Sequence, residues 1–134
     1  MRFLLDSTVI IDHLNGVDLA EVFLRTHAVE SCVSVVTVNE VLAGSEPGAV
    51  RRHELLLDQF VCLGVDRLTA KASAALRRIH RWKLADSIQA ALALTNNLKL
   101  VTRNHKDFKP AMHAFVVVPY TLTAQGAGKT TRPL

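Results

Sequence analysis

Acidic side chains that stand just behind short apolar runs are the residues of this sequence with the most chemistry to offer. Asp6 follows Phe3-Leu4-Leu5 directly, and Glu40 lies four residues after the run Cys32 to Val36. Asp86 sits near the start of the apolar stretch from Ala85 to Thr95. Thr102-Arg103-Asn104 follows Lys99-Leu100-Val101, with Asp107 three residues beyond Asn104. In an open α/β sheet, ligands bind beyond the carboxyl ends of the strands, near a switch in strand order. If the apolar runs are strands, four separate segments deliver oxygen-bearing side chains to one such edge. Carboxylates brought that close repel strongly, and a hard divalent cation is the usual remedy. Each acid also has a quieter explanation. Asp6 suits a helix N-cap, Thr37-x-x-Glu40 fits a capping box, and Asp86 favours the positive end of a helix. Asp107 suits a turn. Only the joint arrangement separates the two accounts.

The elements that must position these residues follow from hydrophobic patterning. Phe3-Leu4-Leu5 is apolar without alternation, as a central strand covered on both faces should be. Ser7-Thr8 opens a helix that Asn15-Gly16 stops, and Asp18 caps a second one bearing Leu19, Val22 and Phe23. The β-branched run Cys32 to Val36 predicts a strand. A helix opening at Thr37 and closed by Gly44 to Gly48 comes next. Another spans about 49–59, and a third strand about Val61 to Val65. Asp66 caps a long helix with Leu68, Ala72, Ala75, Leu76 and Ile79 on its apolar face. Lys71, Arg77, Arg78 and Arg81 form its polar face. A further helix covers about 85–95, and strands cover 99–102 and 115–118. This order predicts an α/β fold with a mainly parallel central sheet of four to five strands flanked by helices. One domain spans about 1–120. Residues 121–134 turn to Thr, Gly, Ala and Lys and read as a flexible C-terminal tail.

Composition narrows the function classes. Hydrophobic residues are 49% of the 134, enough for a core and against disorder or a coiled coil. Lys and Arg number 16 against 12 Asp and Glu, an excess that suits a polyanionic partner. Aromatics are only 5%, which argues against a platform on which bases stack. The only cysteines, Cys32 and Cys62, give neither a disulfide framework nor a zinc spacing, and their apolar surroundings read as buried thiols. No apolar run approaches the ~20 residues of a membrane span. The acid at Asp6 comes too early for a signal peptide. A soluble, cytoplasmic protein is expected, with no membrane association.

Four segments in this order and spacing resemble the PIN-domain family, and within it the VapC-type toxins of bacterial toxin–antitoxin pairs. They are Phe3-Leu4-Leu5-Asp6-Ser7-Thr8-Val9-Ile10, Ser34-Val35-Val36-Thr37-Val38-Asn39-Glu40-Val41, Lys83-Leu84-Ala85-Asp86-Ser87-Ile88-Gln89-Ala90-Ala91 and Leu100-Val101-Thr102-Arg103-Asn104-His105-Lys106-Asp107-Phe108. The match runs from about residue 3 to residue 118. The resemblance implies a PIN-like three-layer sandwich and a metal-dependent endoribonuclease, with Asp6, Glu40 and Asp86 as the metal-binding acids. Many relatives carry a fourth acid directly after Thr-Arg, where this chain has Asn104. The resemblance then implies that the site is completed either by the Asn104 amide oxygen or, if the loop folds back, by Asp107 as the fourth catalytic carboxylate. Thr8 stands where the family often has Asn. Oxygen ligands suit Mg²⁺, with Mn²⁺ as a substitute, and the scattered His and Cys give no zinc set. Ser7 and Thr8 would orient Asp6, and together with Arg103 and Asn104 they would form the substrate-binding set, Arg103 neutralising a phosphate.

The same resemblance implies three partners: an RNA substrate, a cognate VapB-type antitoxin whose C-terminal segment covers the acidic edge, and a second copy in a homodimer. A non-cleaving RNA-binding relative and a PIN nuclease of RNA processing are the alternatives. A haloacid dehalogenase-type phosphatase expects a second Asp where Thr8 stands. A receiver domain needs an acidic pair before its phosphorylated Asp, and none precedes Asp6.

Overall fold

A computed structural model describes residues 1–122 and a strand at 130–133. Strand β1 (Phe3–Leu5) is the centre of a sheet and is buried at every residue. It pairs in parallel with β2 (Ser31–Ser34) on one side and β4 (Lys99–Val101) on the other. Strand β3 (Val61–Leu63) extends the sheet beyond β2, and β5 (Val116–Val117) extends it beyond β4, both in parallel. The order is β3-β2-β1-β4-β5, five strands and all parallel. Its direction of growth reverses between β1 and β4, so a crevice opens beyond the carboxyl ends of those two strands.

Helices cover both faces, which explains why the β1 run is continuously apolar. Leu4 packs with Cys32, Leu92, Leu100 and Phe108 on one face. Phe3 and Leu5 pack with Val9, Ile10, Val33 and Val101 on the other. Burying a leucine of this kind contributes roughly 1.5–3 kcal/mol. The first face is covered by α5 (Arg67–His80) and α6 (Leu84–Thr95). The second is covered by α1 (Ser7–Leu14), α2 (Asp18–His27), α3 (Val35–Ala43) and α4 (Val50–Leu57). Helix, sheet and helix make three layers. No helix among the described residues is long and apolar enough to cross a membrane.

Four details depart from the sequence reading. Strand β2 ends at Ser34, and Val35 and Val36 are helical, not extended. The Ser34 hydroxyl accepts from the Thr37 amide at 3.2 Å, so this cap overrides the β propensity of the two valines. Glu40 therefore lies well inside α3, and the Thr37–Glu40 capping box does not form. On α5, Leu68 and Ile79 are exposed, at 74% and 72%, while Thr69 and Ser73 are buried. The Ser73 and Ser87 hydroxyls meet at 2.8 Å, since small residues let α5 and α6 approach closely. Cys62 is exposed because β3 is an edge strand, whereas the buried Cys32 thiol donates to the Phe3 carbonyl at 3.3 Å. Finally, β6 (Tyr120–Leu122) pairs antiparallel with β7 (Thr130–Pro133). The rest of the expected flexible tail, 123–129 and 134, lies outside the described residues.

Candidate active site

Asp6 leaves the end of β1 and occupies the backbone position of an N-cap for α1, yet its side chain caps nothing. It turns instead into the crevice between β1 and β4 and is only 5% exposed. Its Oδ2 accepts from Thr102 Oγ1 at 2.7 Å and from Thr8 Oγ1 at 3.1 Å. Its Oδ1 accepts from Gln89 Nε2 at 3.3 Å. Gln89 is itself fully engaged: Nε2 also donates to Thr37 Oγ1 at 2.8 Å, and Oε1 accepts from Ser34 at 2.7 Å. Thr37 Oγ1 in turn donates to the Leu5 carbonyl at 3.2 Å. The two threonines continue outward, because Thr102 Oγ1 accepts from the Asn104 amide at 2.9 Å and Thr8 Oγ1 from the Arg103 amide at 3.2 Å. Asp6 is thus fixed from β4, α1 and α6 at once. Two carboxylate oxygens have about four acceptor positions, and three are used.

The other acids gather around it. Glu40 accepts from the Ser7 hydroxyl at 2.9 Å, so Ser7 orients Glu40 rather than Asp6. Thr8 does hold Asp6, as the sequence led one to expect. Asp86, in the first turn of α6, has no hydrogen-bond partner among the described residues. Burial pushes its carboxyl up to about 6, and the charges of Asp6, Asp107 and Glu40 add to the effect. Asp107 Oδ2 accepts from Asn104 Nδ2 at 3.1 Å, which leaves the Asn104 amide oxygen free of that bond. The charges of three carboxylates therefore reach Asp86 across the crevice.

This donor set suits a hard cation: carboxylate, amide and hydroxyl oxygens, with no Cys or His among them. The acids are not arranged as a finished chelate, however. Among the described residues, no three His, Cys, Asp or Glu side chains stand where one metal ion would touch them all. Asp6 and Glu40 are instead held by neutral donors, and the Asp86 carboxylate has no hydrogen bond among the described residues.

Arg103, expected from the sequence to meet a phosphate, has its guanidinium on Asp12, with Nε donating to Oδ2 at 2.6 Å and Nη2 to Oδ1 at 2.8 Å. The Tyr120 hydroxyl donates to the same Asp12 Oδ2 at 2.8 Å. The Asp12 contact holds the guanidinium above its ordinary range, and burial with this bond raises the Tyr120 phenol. Asp12, Gln89 and Tyr120 were not singled out from the sequence. A lone Asp inside Val9-Ile10-Ile11-Asp12 and a lone Gln between Ile88 and Ala90 were the available signals, since a buried polar side chain needs a partner.

With this geometry in place, comparison with known proteins gives a consistent result. The family model for the PIN domain matches residues 3–111. Among solved structures, a toxin–antitoxin complex from Klebsiella pneumoniae contains a chain 32% identical to this one, with a TM-score of 0.82. That match covers 89% of this chain and 98% of the other. FitAB bound to an IR36 DNA fragment matches at 24% identity and a TM-score of 0.75, over 92% and 99% of the two chains. DNA-bound VapBC from Salmonella typhimurium matches at 22% and 0.70, over 81% and 91%. The last two bear on the fold alone. No curated protein matches the sequence.

Proposed function

Because the chain belongs to the PIN domain family, we propose that it is a Mg²⁺-dependent endoribonuclease and the toxin of a VapBC-type pair. The observation that carries this reading is the crowding of Asp86 by Asp6, Asp107 and Glu40 where the strand order reverses. Natural folds keep such repulsion where a ligand relieves it. Asp6 and Asp86 would hold the ion, with Glu40 acting through a bound water and Mn²⁺ as a substitute. A bound divalent cation supplies neutralisation of a phosphodiester oxygen and acidification of a coordinated water.

The chain's own residues do the rest. Thr8, Thr102 and Gln89 hold the Asp6 carboxylate in one orientation, and Ser7 does the same for Glu40. Asp86 must lose its proton to take part, so at subsaturating Mg²⁺, where the cation competes with that proton, cleavage should rise as pH passes through about 6. Asp107 and Asn104 stand on the loop after β4 as the fourth acid and its orienting amide. The products would be a 5′-phosphate and a 3′-hydroxyl. A cognate antitoxin would be its partner, a reading supported by the 32% identical chain in a Klebsiella pneumoniae toxin–antitoxin complex. We take it to be of the VapB type and to cover the acidic edge, and the chain to pair as a homodimer in the cytoplasm.

The test is cleavage of single-stranded RNA by the purified chain with Mg²⁺ and with EDTA. Asp6→Asn and Asp86→Asn should each lower the rate by roughly 10²–10⁴-fold without unfolding the protein. An Asp6→Asn chain that cuts at the wild-type rate defeats the assignment. Metal-independent RNA binding with no cutting at all would select the non-cleaving reading. Induced expression should arrest growth, and a small neighbouring gene product should relieve it.

A further inference from the structure

Beside the acidic edge lies a cationic concavity that the carboxylates do not explain. Helix α5 ends at His80, and Arg81 takes a left-handed backbone with φ 59° that turns the chain toward Lys83 and α6. The segment 105–113 closes over this turn, with Trp82 Nε1 donating to the Asp107 carbonyl at 3.1 Å. Between them is a cavity of about 330 Å³. Its rim carries Arg81, Lys83, Lys106 and Lys109, all exposed. Among the described residues none of the four forms an ion pair, whereas Arg2, Arg25 and Arg103 each do. Four positive charges against the single carboxylate of Asp107 leave the hollow net positive, and an anion there relieves the repulsion.

The shape of the hollow says which anion. Trp82 forms its floor, stacked on His80 with ring centroids 4.2 Å apart and flanked by His113 at 5.3 Å. At 8% exposure the indole offers no open face to a base. The site presents charge and N–H donors without base-edge readout, which is how proteins hold phosphates. Asp107 lines the cavity, and both Asp107 and Lys83 act electrostatically on Asp86, so the hollow adjoins the acidic crevice. A second groove, lined by Arg77, Arg78 and Arg81, continues it along α5.

We propose that this concavity is a phosphate subsite that holds the backbone of single-stranded RNA next to the cut, with the strand continuing over Arg77 and Arg78. The proposal rests on the nuclease reading of the acidic crevice and adds the path of the substrate. Its test uses the full chain carrying Asp86→Asn, in EDTA, titrated with a short fluorescein-labelled polyuridine over a series of salt concentrations. Adding Lys106→Gln and Lys109→Gln together should weaken binding roughly tenfold and flatten the slope of log K against log salt by about 1.4, two single-strand phosphate contacts. Lys106→Arg with Lys109→Arg should keep both the affinity and the slope. Unchanged affinity and slope in the double glutamine variant would overturn the subsite.

A second measurement separates this from the nuclease reading. With Asp86 intact, Mg²⁺-dependent hydrolysis of bis-p-nitrophenyl phosphate, which has one phosphodiester and no neighbouring phosphate to occupy the hollow, should be unaffected by the two glutamines. A matching fall in that rate would place the lysines at the reacting centre and overturn the subsite. No hydrolysis of any diester, together with the loss of polyuridine binding, would keep the subsite and remove the nuclease.

Discussion

Burial and the charges of Asp6, Asp107 and Glu40 raise the Asp86 carboxyl to about 6 from 3.8, which ties activity and stability together at one residue. An acid whose pKa is higher folded than unfolded stabilises the fold fully below the unfolded value, and that contribution is lost as pH rises through the folded value. Between about pH 4 and pH 6 the wild-type melting temperature should fall on this account, and above 6 it should level. Asp86→Asn removes both the titration and the repulsion. Its melting temperature at pH 8 should exceed wild type by a few degrees, with the gap closing near pH 4. Thermal unfolding across that range measures it. Gln89 carries the opposite expectation. Gln89→Leu strips Asp6 and Thr37 of a donor and Ser34 of its acceptor within a buried network. A loss of roughly 1–3 kcal/mol should appear in urea denaturation.

At the scale of elements, the crevice depends on how the loop after β4 is tied to α1. Arg103, Asp12 and Tyr120 make that tie, joining the loop, the helix and β6 through groups distant in the chain. Arg103→Ala leaves the Asp12 carboxylate buried with only the phenol. It should cost about 3 kcal/mol, the lower end for a broken buried pair because the guanidinium is a third exposed. Denaturant unfolding would show it. The elements themselves were legible where one signal dominated. The continuous run Phe3-Leu4-Leu5 announced a central strand, and Asp66 caps α5 as expected, accepting from the Thr69 amide at 2.8 Å. They were not legible where a tertiary contact decided. Val35 and Val36 went helical under the Ser34 cap, and α5 turned Ser73 inward, where α6 presents Ser87, while Leu68 stayed exposed.

For the molecule as a whole, the sheet topology made the acids readable and their supports unreadable. Asp6 could be located because it ends an apolar run, and Glu40 and Asp86 because each stands behind the next candidate strand or opens a helix. Gln89 reaches Asp6 across 83 positions and Arg103 reaches Asp12 across 91, pairings that no local pattern encodes. The open edge at β3 has a practical outcome for all the variants above. Cys62 meets solvent there, while burial pushes the Cys32 thiol up to about 11. A brief treatment with iodoacetamide should therefore add one carbamidomethyl group to a native chain and two to a denatured one. Intact-mass measurement then reports, for each substitution, whether lost cleavage came from chemistry or from collapse of the sheet.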